Sequence, residues 1–88
     1  MPFVYFLVTK SKYNISYIGW TNNLKKRIRE HNEGKGAKFT RGRKWKLIYY
    51  EVVNNKSSAL KREYELKKNR KLRNFIKNMF SKKIINEK

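Results

Sequence analysis

The sequence predicts an α/β domain of the α+β kind: a small, three-stranded, mainly antiparallel sheet flanked by two to three helices. Three observations predict it. Two β-rich runs, residues 3–8 and 15–18, stand a short polar stretch apart. A third run over residues 45–53 is dense in aromatic and β-branched side chains. Between and after them, apolar residues recur at helical spacing. A chain of 88 residues leaves room for one domain, which buries little more than about 60% of its unfolded surface. Its core must be thin and shared with any functional site. The expected layout is a single domain over residues 1–80 and a frayed tail over 81–88.

Residues 3–8 are wholly apolar, residues 15–18 alternate, and residues 10–14 supply a polar turn, which makes a β-hairpin. Thr21, Asn22 and Asn23 offer a helix N-cap, Leu24 and Ile28 share a helical face, and Gly34 with Gly36 ends the helix. The first helix is therefore expected over roughly residues 21–33. Residues 34–44 are rich in glycine and cations, the composition of a solvated loop. After the third strand, Ser57 or Ser58 can cap a second helix reaching about Asn69, and helical spacing resumes at Leu72 towards Phe80.

Charge narrows the partner. Twenty-four Lys and Arg against six acidic residues give a formal net charge of +18, spread evenly over both halves of the chain. Such a field attracts polyanions, so nucleic acid, DNA or RNA, is the expected partner. A membrane partner is not expected, because no segment joins a large apolar face to basic flanks and the longest apolar run is too short to span a bilayer. No cysteine is present, so no disulfide partner or thiolate metal site exists, and a cytoplasmic location is expected. There is no Asp, and His31 is the sole histidine, which excludes a Ser-His-Asp triad, a Cys-His pair and an ordinary zinc site. Any metal must be held by glutamate. The Gly34-Lys35-Gly36 segment lacks the spacing of a nucleotide phosphate loop.

Helix geometry singles out a few polar residues. Leu24, Arg27, Ile28 and His31 stand at i, i+3, i+4 and i+7, so Arg27 and His31 border the core face. Alone, the first is a snorkelling side chain and the second a satisfied boundary histidine. In the second helix Ala59, Leu60, Tyr64 and Leu66 mark the apolar stripe, Glu63 and Lys67 fall inside that arc, and Glu65 falls outside it. A carboxylate at the core margin needs a partner; for Glu63 a salt bridge to Lys67 or Arg27 is the structural explanation and a metal the functional one. Tyr5 and Tyr17, on the two hairpin strands, can line one face.

Taken together, these residues resemble the GIY-YIG nuclease family, in particular its short stand-alone bacterial branch, over residues 3–80. Tyr17-Ile18-Gly19 reproduces the second tripeptide and Phe3-Val4-Tyr5 resembles a relaxed first one, with Phe3 in place of glycine. Arg27 stands at the position of the family's catalytic arginine with His31 one turn on, Glu63 matches its metal-binding glutamate, and the loop from Gly34 to Gly42 is similar to that branch. The late asparagine of many members has no secure match; Asn69 and Asn74 are the candidates. The resemblance implies a GIY-YIG-like fold and a metal-dependent endonuclease that hydrolyses phosphodiester bonds in DNA, structure-selective and tied to DNA repair or recombination. It also implies Tyr5, Tyr17, Arg27, His31 and Glu63 as catalytic residues, with Glu63 the ligand of Mg²⁺ or Mn²⁺. Arg27 would neutralise the phosphate, and Tyr5, helped by Tyr17 and His31, would orient or deprotonate water, a role that needs nearby cations to favour the phenolate. Gly19 would ease the turn into the first helix without crowding the cleft. Lys35, Lys38, Arg41, Arg43 and Lys44 would contact phosphates, with Phe39 or Trp45 available to stack on a base. Two competing expectations are a catalytically silent DNA- or RNA-binding module, in which Glu63 is only an ion-pair partner, and an interaction protein with an acidic protein partner. The full constellation favours the nuclease.

Overall fold

An uncharged run that alternates Val4, Phe6 and Val8 against Tyr5 and Leu7 can bury both of its faces, so it belongs at the centre of a sheet. In the computed structural model, which describes residues 1–10 and 15–86 with side chains through residue 79, that run is β1 (Phe3–Thr9). It lies between β2 (Ser16–Thr21) and β3 (Trp45–Val52), antiparallel to both, in the order β2-β1-β3. The Thr9 amide donates to the Ile15 carbonyl at 3.0 Å at the hairpin end. The polar turn expected there lies, from residue 11 to 14, outside the described residues.

One sheet face, carrying Val4, Phe6, Val8, Ile18 and Ile48, is covered by α2 (Lys56–Lys68) and α3 (Arg70–Asn86) through Ala59, Leu66, Leu72 and Ile76. The other, carrying Tyr5, Leu7 and Trp45, is covered by α1 (Leu24–Asn32) through Leu24 and Ile28. Each wholly buried side chain of this kind contributes about 1.5–3 kcal/mol. A bulge in the β1–β3 pairing, between Phe6 and Leu7, inserts one extra residue in β3. It shifts the strand's phase, so that Trp45 and Leu47 pack on the α1 side while Tyr49 and Glu51 turn towards α2.

Helix boundaries differ from the sequence expectation for local reasons. Thr21 still pairs in β2, so α1 begins only at Leu24, with the Asn23 side chain accepting from the Lys26 amide at 3.2 Å. Asn55, and not either serine, caps α2 by accepting from the Ser58 amide at 2.8 Å. Asn69 does the same for α3, taking the Leu72 amide at 3.0 Å, and α3 continues past Phe80 to Asn86. The apolar stripe of α2 is also narrower than expected. Ala59, Arg62, Glu63 and Leu66 face inward at i, i+3, i+4 and i+7, while Leu60 and Tyr64 are 46% and 65% exposed.

The stretch between α1 and β3 is not solvated throughout. It contains one turn of 3-10 helix (Lys38–Thr40), and Thr40 is fully buried. Gly34 and Gly42 flank that turn with φ of +78° and +77°, backbone that side chains resist. On the other side of the sheet, the Arg62 guanidinium grips the Glu51 carboxylate at 2.8 and 2.9 Å, and the Tyr49 hydroxyl donates to the same group at 2.6 Å. Arg62 depresses the Glu51 pKa, and Glu51 in turn raises that of Arg62, so the pair stays charged and pins α2 to β3.

Candidate active site

Tyr5 sits on the central strand opposite Gly19 of β2, and cross-strand partners share a face. Its hydroxyl leans over that glycine: a Cβ at residue 19 would lie 2.6 Å from the Tyr5 oxygen and 3.1 Å from the Tyr17 ring. Gly19 is thus required by close approach in mid-strand, rather than by the turn into α1. The space it opens is where the hydroxyl meets α1. There the Tyr5 oxygen lies 2.7 Å from Nε2 of His31, which is wholly buried, and the nearby Arg27 guanidinium acts to lower the pKa of the hydroxyl. Tyr17 closes the group, its ring centre 5.0 Å from that of His31 and 6.3 Å from that of Tyr5.

Beyond His31, Nδ1 lies 2.9 Å from the Thr40 hydroxyl oxygen, and that hydroxyl donates to the Ala37 carbonyl at 2.8 Å. Gly36 packs on the same ring, since a Cβ there would approach Nδ1 to 2.3 Å. Thr40 and Gly36 are the site residues that sequence reasoning missed. A threonine and a glycine inside a cationic loop look like solvated residues, and only the fold of the loop back over α1 distinguishes them.

Burial dominates the electrostatics. It pushes the Tyr5 hydroxyl up to about 12, against the lowering effect of Arg27 and with small increments from Tyr17 and Glu63. The cations around Tyr5 therefore do not produce a phenolate at neutral pH, contrary to the requirement drawn from the sequence. Burial, reinforced by the Arg27 charge and opposed by Glu30, lowers His31 to about 4, so its imidazole is neutral. Burial also works against the Arg27 charge, but the influence of Tyr5 and Glu30 outweighs it and holds arginine above its usual range.

Glu63 stands on α2 with its side chain 19% exposed, and its charge adds a minor upward push to the Tyr5 pKa. Its partner is Lys67, at 3.0 Å, while Arg27 pairs instead with Glu30 at 3.4 Å. Among the described residues no three His, Cys, Asp or Glu side chains gather. One carboxylate suits a hard ion that keeps most of its waters and takes further oxygens from a phosphate, as Mg²⁺ does, and does not suit zinc. Beside Arg27 an open cleft is lined by Trp20, Thr21, Asn23, Lys26 and Glu30.

Of the cationic loop, Lys35, Lys38, Arg41, Arg43 and Lys44 are all exposed. Phe39 is 50% exposed, its ring nearly parallel to Tyr17 at 6.3 Å, with the Arg43 guanidinium 5.1 Å from its centre. Trp45 cannot stack on a base: it is buried, and its indole N–H donates to the Thr40 carbonyl at 2.9 Å. Asn69 serves as the cap of α3, and Asn74 is exposed.

Comparison with known proteins agrees with this arrangement. Residues 1–77 match the model of the GIY-YIG catalytic domain. The chain is 55% identical over 69 residues to a UPF0213 protein of Clostridium perfringens, covering 77% of this chain and 72% of the relative. It is 46% identical over 65 residues to the UPF0213 protein YazA of Bacillus subtilis, covering 73% and 66%. Among solved structures, the solution NMR structure of a UPF0213 protein from Bacillus halodurans is similar with a TM-score of 0.52 and 34% identity, over 90% of this chain and 85% of that one. The matched span and these relatives show that the chain belongs to the GIY-YIG family, whose domain is of the endonuclease type and acts on nucleic acid.

Proposed function

We propose that this domain is a metal-dependent endonuclease that hydrolyses phosphodiester bonds in DNA, with Tyr5, Tyr17, Arg27, His31 and Glu63 as its catalytic residues. One juxtaposition supports the reading above all: a tyrosine hydroxyl 2.7 Å from a neutral imidazole, with the Arg27 guanidinium beside it and the Glu63 charge felt there. Water attack on a phosphodiester needs a proton acceptor, charge neutralisation at the phosphate and stabilisation of the departing oxygen. Arg27, permanently charged and forked, answers the second need. For the first, Tyr5 is protonated at neutral pH, so it acts as a relay: its oxygen takes the proton of the water as its own proton passes to Nε2 of His31. The negative charge of a bound phosphodiester raises the proton affinity of both groups and favours that transfer. Tyr17 walls the pocket and fixes the two rings. Glu63 would hold Mg²⁺ or Mn²⁺, and the ion, when bound, supplies positive charge at the leaving oxygen.

Lys35, Lys38, Arg41, Arg43 and Lys44 engage the backbone, with Phe39 beside them for a base. Contacts to phosphates carry no sequence information, which favours selection by structure over sequence and fits a place in DNA repair or recombination, in the cytoplasm. A second reading, binding of DNA or RNA without cutting, is favoured by one observation: Glu63 already has an ion-pair partner in Lys67.

The test is a nicking assay of wild type, Arg27→Ala and Glu63→Ala on labelled single-stranded, duplex and branched DNA and on RNA, with Mg²⁺, Mn²⁺ or a chelator. Metal-dependent cutting that falls about 100-fold or more in both variants, with folding and binding retained, is the expected outcome. Tight binding with no metal-dependent cutting by the wild type would support the binding module instead.

A further inference from the structure

Thr40 has no part in the reaction just described, yet it is fully buried in a loop made largely of cations and glycines, and its hydroxyl is engaged by His31 and by the Ala37 carbonyl. We propose that Thr40 is a positioning residue that sets the tautomer of His31, leaving Nε2 bare to take the Tyr5 proton. The proposal rests on the catalytic reading of Tyr5 and His31.

A hydroxyl carries one proton. Thr40 donates its proton to the Ala37 carbonyl at 2.8 Å, so towards Nδ1, 2.9 Å away, the same oxygen can only accept. Nδ1 must then carry the hydrogen, and a neutral imidazole with Nδ1–H has a lone pair on Nε2. Nε2 can then accept from the Tyr5 hydroxyl, 2.7 Å away. Donation therefore runs one way: Tyr5 to His31 to Thr40 to the Ala37 carbonyl. The opposite tautomer would turn the Thr40 proton to Nδ1 and break the Thr40–Ala37 bond, in a buried place where a lost partner is not replaced by water.

The Gly36 backbone packs on this ring so closely that a Cβ would sit 2.3 Å from Nδ1, and a flip that exchanged Nδ1 for a carbon would forfeit the hydrogen bonds to Tyr5 and Thr40. The loop segment that secures His31 also presents Lys35, Lys38 and Arg41 to solvent. Seating of the phosphate backbone on these cations is thereby tied to the segment that orients the base.

Because His31 is the sole histidine, its ring nitrogens can be read without ambiguity in ¹⁵N spectra of the full chain. Expected are an Nδ1–H tautomer in the wild type at neutral pH, and its loss in favour of Nε2–H in Thr40→Val. The same variant should lose kcat by roughly tenfold or more with KM unchanged, the range over which outer partners of an oriented histidine matter. Thr40→Ser should restore both. An Nε2–H tautomer in the wild type overturns the proposal, as does an unchanged tautomer and kcat in a folded Thr40→Val. If Thr40→Val does not fold, the wild-type tautomer and that of Thr40→Ser decide, Nδ1–H in both being required. If the tautomer responds as expected but no form cuts, Thr40 keeps its role and the catalytic reading is what fails.

Discussion

At the scale of single residues, burial decides more than charge. His31 sits in a strongly basic domain beside Arg27, but its neutrality comes first from being enclosed by Tyr5, Tyr17, Thr40 and the Gly36 backbone. This has a consequence for stability. Folded His31 titrates at about 4 against 6.5 in the unfolded chain, so below pH 6.5 the unfolded state takes up a proton that the folded state refuses. Stability is fully present above pH 6.5 and is lost as pH falls through 4, by roughly 3 kcal/mol from this residue. Denaturant unfolding of wild type and His31→Gln over that interval should show the wild type losing the greater amount; parallel curves would mean that His31 is not titrating as described. That Arg27 and His31 share a helical face was legible in the sequence. The state of Tyr5 was not. A phenol's pKa depends on what encloses it, and enclosure is not a local property.

At the scale of elements, the residues proposed as catalytic come from four pieces with different anchors. β1 carries Tyr5, β2 Tyr17, α1 Arg27 and His31, and α2 Glu63. What holds α2 in rotation is the Arg62 to Glu51 clamp, which the β3 bulge makes possible by turning Glu51 towards the helix. Arg62 is the neighbour of Glu63 on that helix. A double-mutant cycle with Arg62→Gln and Glu51→Gln should give a coupling of about 1–2 kcal/mol, since the pair is bidentate and mostly shielded from water. It should persist in high salt, where an exposed pair would be screened; a coupling near zero would remove the clamp from this account. Helix periodicity alone misdirected the stripe of α2. Leu60 and Tyr64 look like core residues by type, but from α2 it is Ala59 and Leu66 that meet the sheet, and Leu72 and Ile76 of α3 complete the cover.

At the scale of the whole molecule, a formal charge of +18 makes association with nucleic acid salt-dependent whatever the chemistry that follows. If Lys35, Lys38 and Arg41 each neutralise a phosphate, replacing all three with alanine should flatten the log–log dependence of affinity on salt. The reduction should be about 0.9 per contact on duplex DNA and about 0.7 on single strands. All three are exposed, so thermal stability should hold; an unchanged slope would move the contacts elsewhere on the basic surface. By itself the sequence determined the strands, the helices and the sign of the surface, since these follow from periodicity, capping residues and composition, all of which are local. It also singled out the polar residues that fit poorly into those patterns. Only the tertiary structure decided that Gly36 and Thr40 close over His31 and that Gly19 makes room for the Tyr5 hydroxyl. Those outcomes depend on which surfaces meet across the sheet and how much water their meeting excludes, and no spacing along the chain encodes either quantity.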